Sequence, residues 1–573
     1  MKKIVKIDEK ANLLVTSLLL LCSFLVRLFV IIHNWPVTNS EEGTMALEAR
    51  HIAFTHDHPV YLYGQNYMGA GEAYLGAIMF HLFGPSIFAL RLGMLLLFLC
   101  ALICCYLLAR LVYGRKIALI TLLLTIGGSG IIFAPELMAV GGAMETVLCG
   151  SLTFLLSSWL ALHPAYLSNT GKEKTVSHTI RYGLLYGTWG LAVGLGLWSH
   201  LLVVPFILCS ILILLIFCLP DLCSYLVFIL GFGLLIGITP LIIYNMLAPF
   251  KDNSIAVFLG LHNTAYPDAP HGLSLWLKQL SGTLFDSLPM ATGMPSLLNL
   301  DVRILPFYGP LTHESLIPIV FYGGWSSIYL TLLLIETRRS WPGKTLLFFL
   351  KKKSQQIDPE KRAAIIKQIL RFFLALCVWL TLLSYASSAT AAERPWSFRY
   401  LIGLLVTIPV VINPLCSRLF LLKKFTRDGR ASLQRLLQTA IFTLMITLVI
   451  YGSIQSLQAI PEGNIRIQQQ ADLITFLHSR HISKIYSGYW VCDSLIFQSE
   501  EKIICAVLDD HLDPGLTRYS PYKNRVDSSR DHIVYIFTKD GDYHPDAAIK
   551  LLTQSGNYQK FESGAYMIFQ AKR

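Results

Sequence analysis

Long apolar runs dominate the chain, separated by short polar or basic connections. A run of roughly 20 apolar residues can cross a bilayer as a helix. Eleven such stretches are predicted, at 11–32, 86–109, 116–133, 143–162, 183–199, 200–218, 223–243, 315–336, 369–389, 398–420 and 436–456. The first two are separated by a polar segment, about Asn34 to Gly84. There the pattern predicts a helix over Thr44–Phe54 and an amphipathic helix from Glu72 to Phe83 lying in the membrane interface. The segment Leu247–Ser315 carries Pro267, Pro270, Pro289, Pro295 and Pro306, which argues against a regular domain there. From about Leu457 the pattern becomes that of a soluble domain. Gln470–His478 has helical periodicity. Lys484–Tyr489, Ser494–Gln498, Ile503–Leu508 and His532–Phe537 read as strands, Asp546–Gln554 as a helix and Ala565–Gln570 as a last strand. The expected fold is mainly α. A polytopic membrane helix bundle over 1–456 has interfacial helices in its first external loop, and a small external α/β domain follows over 457–573.

Composition agrees with that pattern. Of 573 residues, 54% are hydrophobic and only 14% charged, where soluble proteins carry about 25% charged residues. The net charge of +12 does not imply nucleic-acid binding, because Lys and Arg gather in connections between spans. One set comprises Lys2, Lys3, Lys6 and Lys10, then Arg110, Arg115 and Lys116, then Lys172, Lys174 and Arg181. The same side holds Arg338, Arg339, Lys351–Lys353 and Arg371, then Lys423, Lys424, Arg427 and Arg430. The positive-inside rule places these in the cytoplasm and the C-terminal domain outside. The first apolar run, too long for a signal-peptide core, reads as an uncleaved anchor. Ten of the twelve cysteines lie in or beside spans as small apolar fillers. Cys492 and Cys505 lie in the polar C-terminal region, where an oxidising compartment would let them pair.

Candidate chemistry gathers at the outer ends of the spans. Glu41 and Glu42 follow the first span, either as helix-start acids favoured by the dipole or as a general base held at the bilayer face. Glu72 lies later in the same loop. Glu136 and Glu145 flank the next outward turn, and His200 lies where two spans meet outside. Arg394 and Arg399 begin a later span on the outer side, against the positive-inside trend. They are candidate phosphate ligands, because guanidinium binds phosphate bidentately. There is no Walker loop, zincin helix or nucleophile elbow.

The acidic pair after the first span is followed by Tyr63-Gly64-Gln65-Asn66-Tyr67-Met68-Gly69, Phe80-His81-Leu82-Phe83-Gly84-Pro85-Ser86 and Leu90-Arg91-Leu92. Arg399-Tyr400-Leu401 and the external domain come later. In this order the chain resembles the GT-C membrane glycosyltransferases, in the bacterial branch related to protein mannosyltransferases and aminoarabinose transferases. The resemblance implies a multi-pass protein of the cytoplasmic membrane. It implies inverting transfer of a sugar from a polyprenyl-phosphate donor to an extracytoplasmic glycan, lipid or protein acceptor. It places the base at Glu41, with Glu42 as second member of a pair that is commonly Asp-Glu. The longer Glu shifts the carboxylate by about 1 Å, an offset that matters for a positioned base. Relatives carry Lys-Pro-Pro where this chain has Met68-Gly69-Ala70, so Tyr67, Arg394 and Arg399 are the substitutes expected at phosphate. Glu72, Glu136, Glu145 and His200 complete the expected substrate-binding set. No cofactor is expected. A divalent cation on Glu41, Glu42, Glu136 and Glu145 is conceivable but not predicted. The alternative is a non-enzymatic envelope protein, a lipid-linked glycan transporter or an inactive GT-C scaffold.

Overall fold

The computed structural model describes residues 2–168, 176–264, 272–294, 313–351, 357–388, 390–393, 395–419, 429–528, 533–539 and 543–572. Among these, seven helices are long and apolar enough to cross a membrane. They are Asn12–Ile32, Ile87–Val112, Ala143–Leu167, Leu226–Leu247, Pro359–Ala386, Ser397–Cys416 and Arg435–Ser479, with a shorter apolar helix at Leu201–Phe217. The predicted stretches 183–199 and 315–336 fall within the helices Val176–Ser199 and His313–Ser340. The stretch 116–133 is not one helix. Arg115–Leu124 ends, and a second helix runs from Gly130 to Leu137. Between them Gly128 N donates to Ser453 Oγ at 3.0 Å, and a Cβ on Gly127 would collide with the same hydroxyl. The chain therefore gives up helical hydrogen bonds there for a close helix approach. The proline-bearing segment holds helices at Ser254–Thr264, Leu273–Ser281 and Leu288–Ala291, with a π-helical turn over Gly282–Ser287.

Two compact units are present. The first comprises Met1–Val26, Leu97–Pro135 and Ala143–Gln455. Its most intimate pair is Val176–Ser199 with Leu226–Leu247. A Cβ on Gly190 would strike the Leu230 carbonyl, and one on Gly233 the Gly187 carbonyl. Small residues let these backbones touch, as helices packing in lipid require. The ends of this unit are tied by buried polar groups. Asp221 accepts from the Ala165 and Tyr166 amides at 2.8 and 2.9 Å and from Tyr186 OH at 3.1 Å. Arg362 donates to the Ala161 and Leu162 carbonyls at 2.9 and 3.1 Å, satisfying acceptors that a helix end leaves unpaired.

The second unit comprises Arg27–Leu96, Glu136–Gly142 and Ser456–Arg573. It joins the first loop to the C-terminal residues. Its five strands are β1 (Lys484–Ser487), β2 (Ile504–Val507), β3 (Val534–Thr538), β4 (Tyr558–Ser563) and β5 (Tyr566–Ala571). They lie in the order β2-β1-β3-β5-β4. β1 runs parallel to β2 and β3, and β5 is antiparallel to β3 and β4. The sequence reading had Ser494–Gln498 as a strand, whereas Tyr489–Gln498 is a helix connecting β1 to β2. Every residue from Val491 to Phe497 is buried, as in a helix enclosed on all sides. A disulfide joins Cys492 on this helix to Cys505 on β2. The domain boundary read at 456/457 falls inside one continuous helix, Gly429–Ser479.

Candidate active site

The helix Ser40–Phe54 carries the acidic pair. Asn39 caps it, its side chain accepting from the Glu42 amide at 3.0 Å. This N-cap fixes the first turn, and from it Glu41 and Glu42 have different surroundings. Glu42 is fully buried and meets Arg91 bidentately, Nε to Oε1 at 2.7 Å and Nη2 to Oε2 at 2.6 Å. Both its oxygens are thereby engaged. Glu41 is half-buried. Burial pushes the nearby Tyr489 phenol up to about 12, Arg518 opposes this and the Glu41 charge adds to it. Arg518 Nε donates to Tyr489 OH at 3.0 Å, and the guanidinium lies 5.3 Å from that ring centre. With its amide oriented to satisfy both groups, the Gln65 oxygen accepts from Nη1 and Nη2 of Arg518 at 2.8 and 2.9 Å. Gln65 sits at the tip of a hairpin closed by a Tyr61–Gly69 bridge, which also presents half-buried Tyr67.

Around this helix the C-terminal residues form a polar clamp. Thr44 Oγ1 donates to Asp493 Oδ2 at 2.5 Å, and the Asp493 amide donates to Ser40 Oγ at 3.2 Å. Any Cβ on Gly43 would overlap the Asp493–Ser494 backbone. Burial raises the Asp493 carboxyl to about 6, with the Thr44 hydrogen bond and then Arg518 opposing. Two turns along, His51 Nε2 lies 3.2 Å from Glu501 Oε1, and Tyr522 OH donates to the same oxygen at 2.7 Å. Arg50 pairs with Glu501 at 3.1 Å. The His51 hydrogen bond leads the causes that hold Glu501 down at about 2. His51 Nδ1 is 3.0 Å from Tyr63 OH, which donates to Asp57 at 2.5 Å.

Glu48, on the same helix, is fully buried. Its Oε2 accepts from the Tyr63 amide at 3.0 Å, and its Oε1 has no hydrogen-bond partner among the described residues. Burial raises its carboxyl to about 8, the Tyr63 amide opposing and the Asp57 charge adding. Between about pH 4.5 and 8 the folded chain therefore holds a proton that the unfolded chain releases, and stability falls as pH rises through that window. Glu48→Gln removes the buried ionisation. It is expected to stabilise the protein by roughly 1–3 kcal/mol at pH 8 and far less at pH 5. Thermal unfolding of the lipid-embedded protein at both pH values checks this, and an equal shift at both would contradict it.

The other predicted residues divide between the units. In the second, Glu72 is buried and accepts from the Gly141 amide at 2.9 Å, latching a turn whose Gly141 has φ +98°. Glu136 is buried against Arg27, its Oε2 accepting from Nε at 3.1 Å and Nη2 at 2.7 Å. In the first unit, Glu145 begins the helix Ala143–Leu162. His200 caps the turn that follows it, Nδ1 accepting from the Leu202 amide at 3.1 Å. Arg399 lies over the Tyr400 ring, whose centre is 6.3 Å from that of His200. Arg394 lies outside the described residues. Among the described residues no group of three His, Cys, Asp or Glu is placed to hold a metal ion.

Tyr489, Asp493, Glu501, Arg518 and Tyr522 were absent from the residues singled out by sequence, whereas His51 lies in the polar first-loop stretch where chemistry was expected. Asp286 was also missed. It is buried in the π turn, its Oδ1 has no partner among the described residues, and burial raises it to about 8. A π turn is the one local signal, since such turns recur at functional sites. It cannot be read from sequence.

No family model matches the chain, and no curated protein matches it. Among solved structures it is similar to ArnT from Cupriavidus metallidurans, each comparison covering 97% of both chains at 12% identity. The TM-score is 0.53 for ArnT bound to undecaprenyl phosphate and 0.52 for the apo state. It also matches the Archaeoglobus fulgidus oligosaccharyltransferase in the apo form, at 14% identity and TM-score 0.43, covering 91% of this chain and 69% of that one. The apolar helices, the C-terminal α/β domain and the end-to-end likeness to ArnT agree, and the fold of this chain is that of the GT-C membrane glycosyltransferases.

Proposed function

We propose that this protein is an integral-membrane glycosyltransferase that moves a sugar from a polyprenyl-phosphate donor to an extracytoplasmic acceptor, with inversion. The observation that carries the reading is the fold shared along 97% of both chains with ArnT, whose solved complex holds undecaprenyl phosphate. The two acids of the first loop then take different roles. Glu42, held by Arg91, anchors the helix. Glu41, half-buried beside Tyr489, is the base.

In the proposed step Glu41 accepts the acceptor hydroxyl proton. The hydroxyl oxygen bonds to the anomeric carbon from the face opposite the donor phosphate, and the bond from that carbon to the phosphate oxygen breaks. The electron pair leaves with polyprenyl phosphate. That leaving group is already an anion, so no general acid is needed, and cations can stabilise its growing charge. Arg394 and Arg399 are the proposed cations. The other residues proposed to shape the substrate site are Tyr67, Glu72, Glu136, Glu145 and His200. Of these, Glu72, Glu136 and His200 act at one remove, because each already holds a backbone amide or an arginine.

The test is a panel of polyprenyl-phosphate sugars offered to the purified protein in lipid, with a cell-envelope extract as acceptor source and release of polyprenyl phosphate as readout. Release from one sugar only, with the sugar recovered in inverted linkage, is expected. Absence of release from every donor by folded protein would overturn the reading.

A further inference from the structure

Within the first unit, the helices His313–Ser340 and Ile408–Leu419 and the start of Gly429–Ser479 border a groove of about 300 Å³. Its apolar walls include Leu332, Ile335, Leu415 and Ile441, and its polar corner is formed by Arg339 and Gln438. Gln438 is only 8% exposed. Its amide nitrogen donates to the Pro414 carbonyl at 3.0 Å, which settles which way round the amide sits. Its oxygen, Oε1, is buried with no hydrogen-bond partner among the described residues. An unpaired buried acceptor costs about 1–3 kcal/mol, a cost that a donor entering the groove would remove.

The charges at this corner favour an anion. Arg338 and Arg339 end one wall helix, and Arg435 lies one turn before Gln438 on another. The acid nearest them in sequence, Glu336, is buried, with Oε2 accepting from Asn413 Nδ2 at 2.8 Å, and it faces two guanidinium groups, Arg371 and Arg339, so the corner keeps a net positive charge. Two of the walls belong to the apolar helices Ser397–Cys416 and Arg435–Ser479, long enough to cross a membrane, and such walls suit a hydrocarbon chain. The groove thus asks for three things in one molecule: an acyl chain, a phosphate and a hydrogen-bond donor just beyond it.

We propose that the groove binds one anionic phospholipid with a glycerol headgroup. An acyl chain lies along Leu332, Ile335 and Ile441, the phosphate pairs with Arg339, and a headgroup hydroxyl donates to Gln438 Oε1. Phosphatidic acid has the phosphate but not the hydroxyl. Phosphatidylethanolamine has a donor but no net charge, and phosphatidylcholine has neither. Basic pockets between membrane helices are general sites for anionic headgroups. The buried glutamine adds a demand for the hydroxyl.

The experiment places the full-length protein in nanodiscs with equal parts of these four lipids, extracts it in mild detergent and measures retained lipid by native mass spectrometry. Phosphatidylglycerol is expected to be retained about tenfold over phosphatidylcholine and phosphatidylethanolamine, a difference of about 1.4 kcal/mol. Gln438→Leu should erase its preference over phosphatidic acid. Arg339→Gln should weaken both anionic lipids. Ile441→Trp fills the apolar part without touching the polar corner and should lower retention of every lipid, so it decides the matter if Gln438→Leu does not fold. Equal retention of all four lipids would overturn the proposal, as would a phosphatidylglycerol preference that survives Ile441→Trp.

Discussion

Glu41→Gln is expected to lower sugar transfer by about 10²–10⁴-fold, the range a positioned general base contributes, with the thermal unfolding midpoint nearly unchanged. Gln keeps the size and hydrogen-bonding reach of Glu but cannot take the acceptor proton. Glu41 is half-buried beside Tyr489, whereas the buried ion pair to Arg91 is made by Glu42. Glu41→Asp keeps the proton acceptor and retracts it by about 1 Å, a displacement that costs a positioned group less than its removal. Transfer by the Asp variant should fall between wild type and Gln. The measurement is polyprenyl phosphate release under single-turnover conditions. If Gln and Asp variants were equally active, the base would have to lie elsewhere, and buried Asp493, near pKa 6, would be the first alternative.

Arg91→Leu is expected to destabilise the second unit by about 3–5 kcal/mol, because it strands Glu42 as an uncompensated charge in a buried site. Its partner Glu42→Leu should cost a similar amount. The double variant should recover much of the loss, since replacing a buried pair by apolar groups of similar volume is often close to neutral. Unfolding midpoints and limited proteolysis of the four proteins measure the cycle. An additive result would mean that the two side chains do not depend on one another. Kinetics separate this role from that of Glu41: folded Glu42 variants should keep a pH profile like that of wild type.

The membrane helices could be read from sequence because burying a backbone in lipid demands long uninterrupted apolar runs, and such runs are local. The reading failed at 116–133 because the interruption depends on Ser453, which approaches Gly127 and Gly128 from more than 300 residues away. It failed at Ser494–Gln498 because a short apolar run fits a strand or a buried helix equally well. The sequence singled out Glu41 and Glu42 together, but not their different surroundings, which rest on Arg91 reaching Glu42 across 49 positions. A charged residue near the start of an apolar helix was the available warning. Tyr489, Asp493 and Arg518 could not be found in the same way. They look like ordinary polar residues of a soluble domain, and only the fold brings them to the first loop.

That clamp has a consequence for how the protein is made. Thr44 and Asp493 are 449 positions apart, and His51 and Glu501 are 450 apart. At 5–20 residues per second, the ribosome needs roughly 20–90 seconds to supply the second half of each pair after the first. The helix Ser40–Phe54 thus waits with Ser40, Thr44 and His51 lacking these partners while the intervening helices are inserted. The first loop therefore stays without these contacts for most of synthesis. A chain cut short before Asp493 would reach the membrane with its acidic pair in place but without the clamp that holds the helix carrying it.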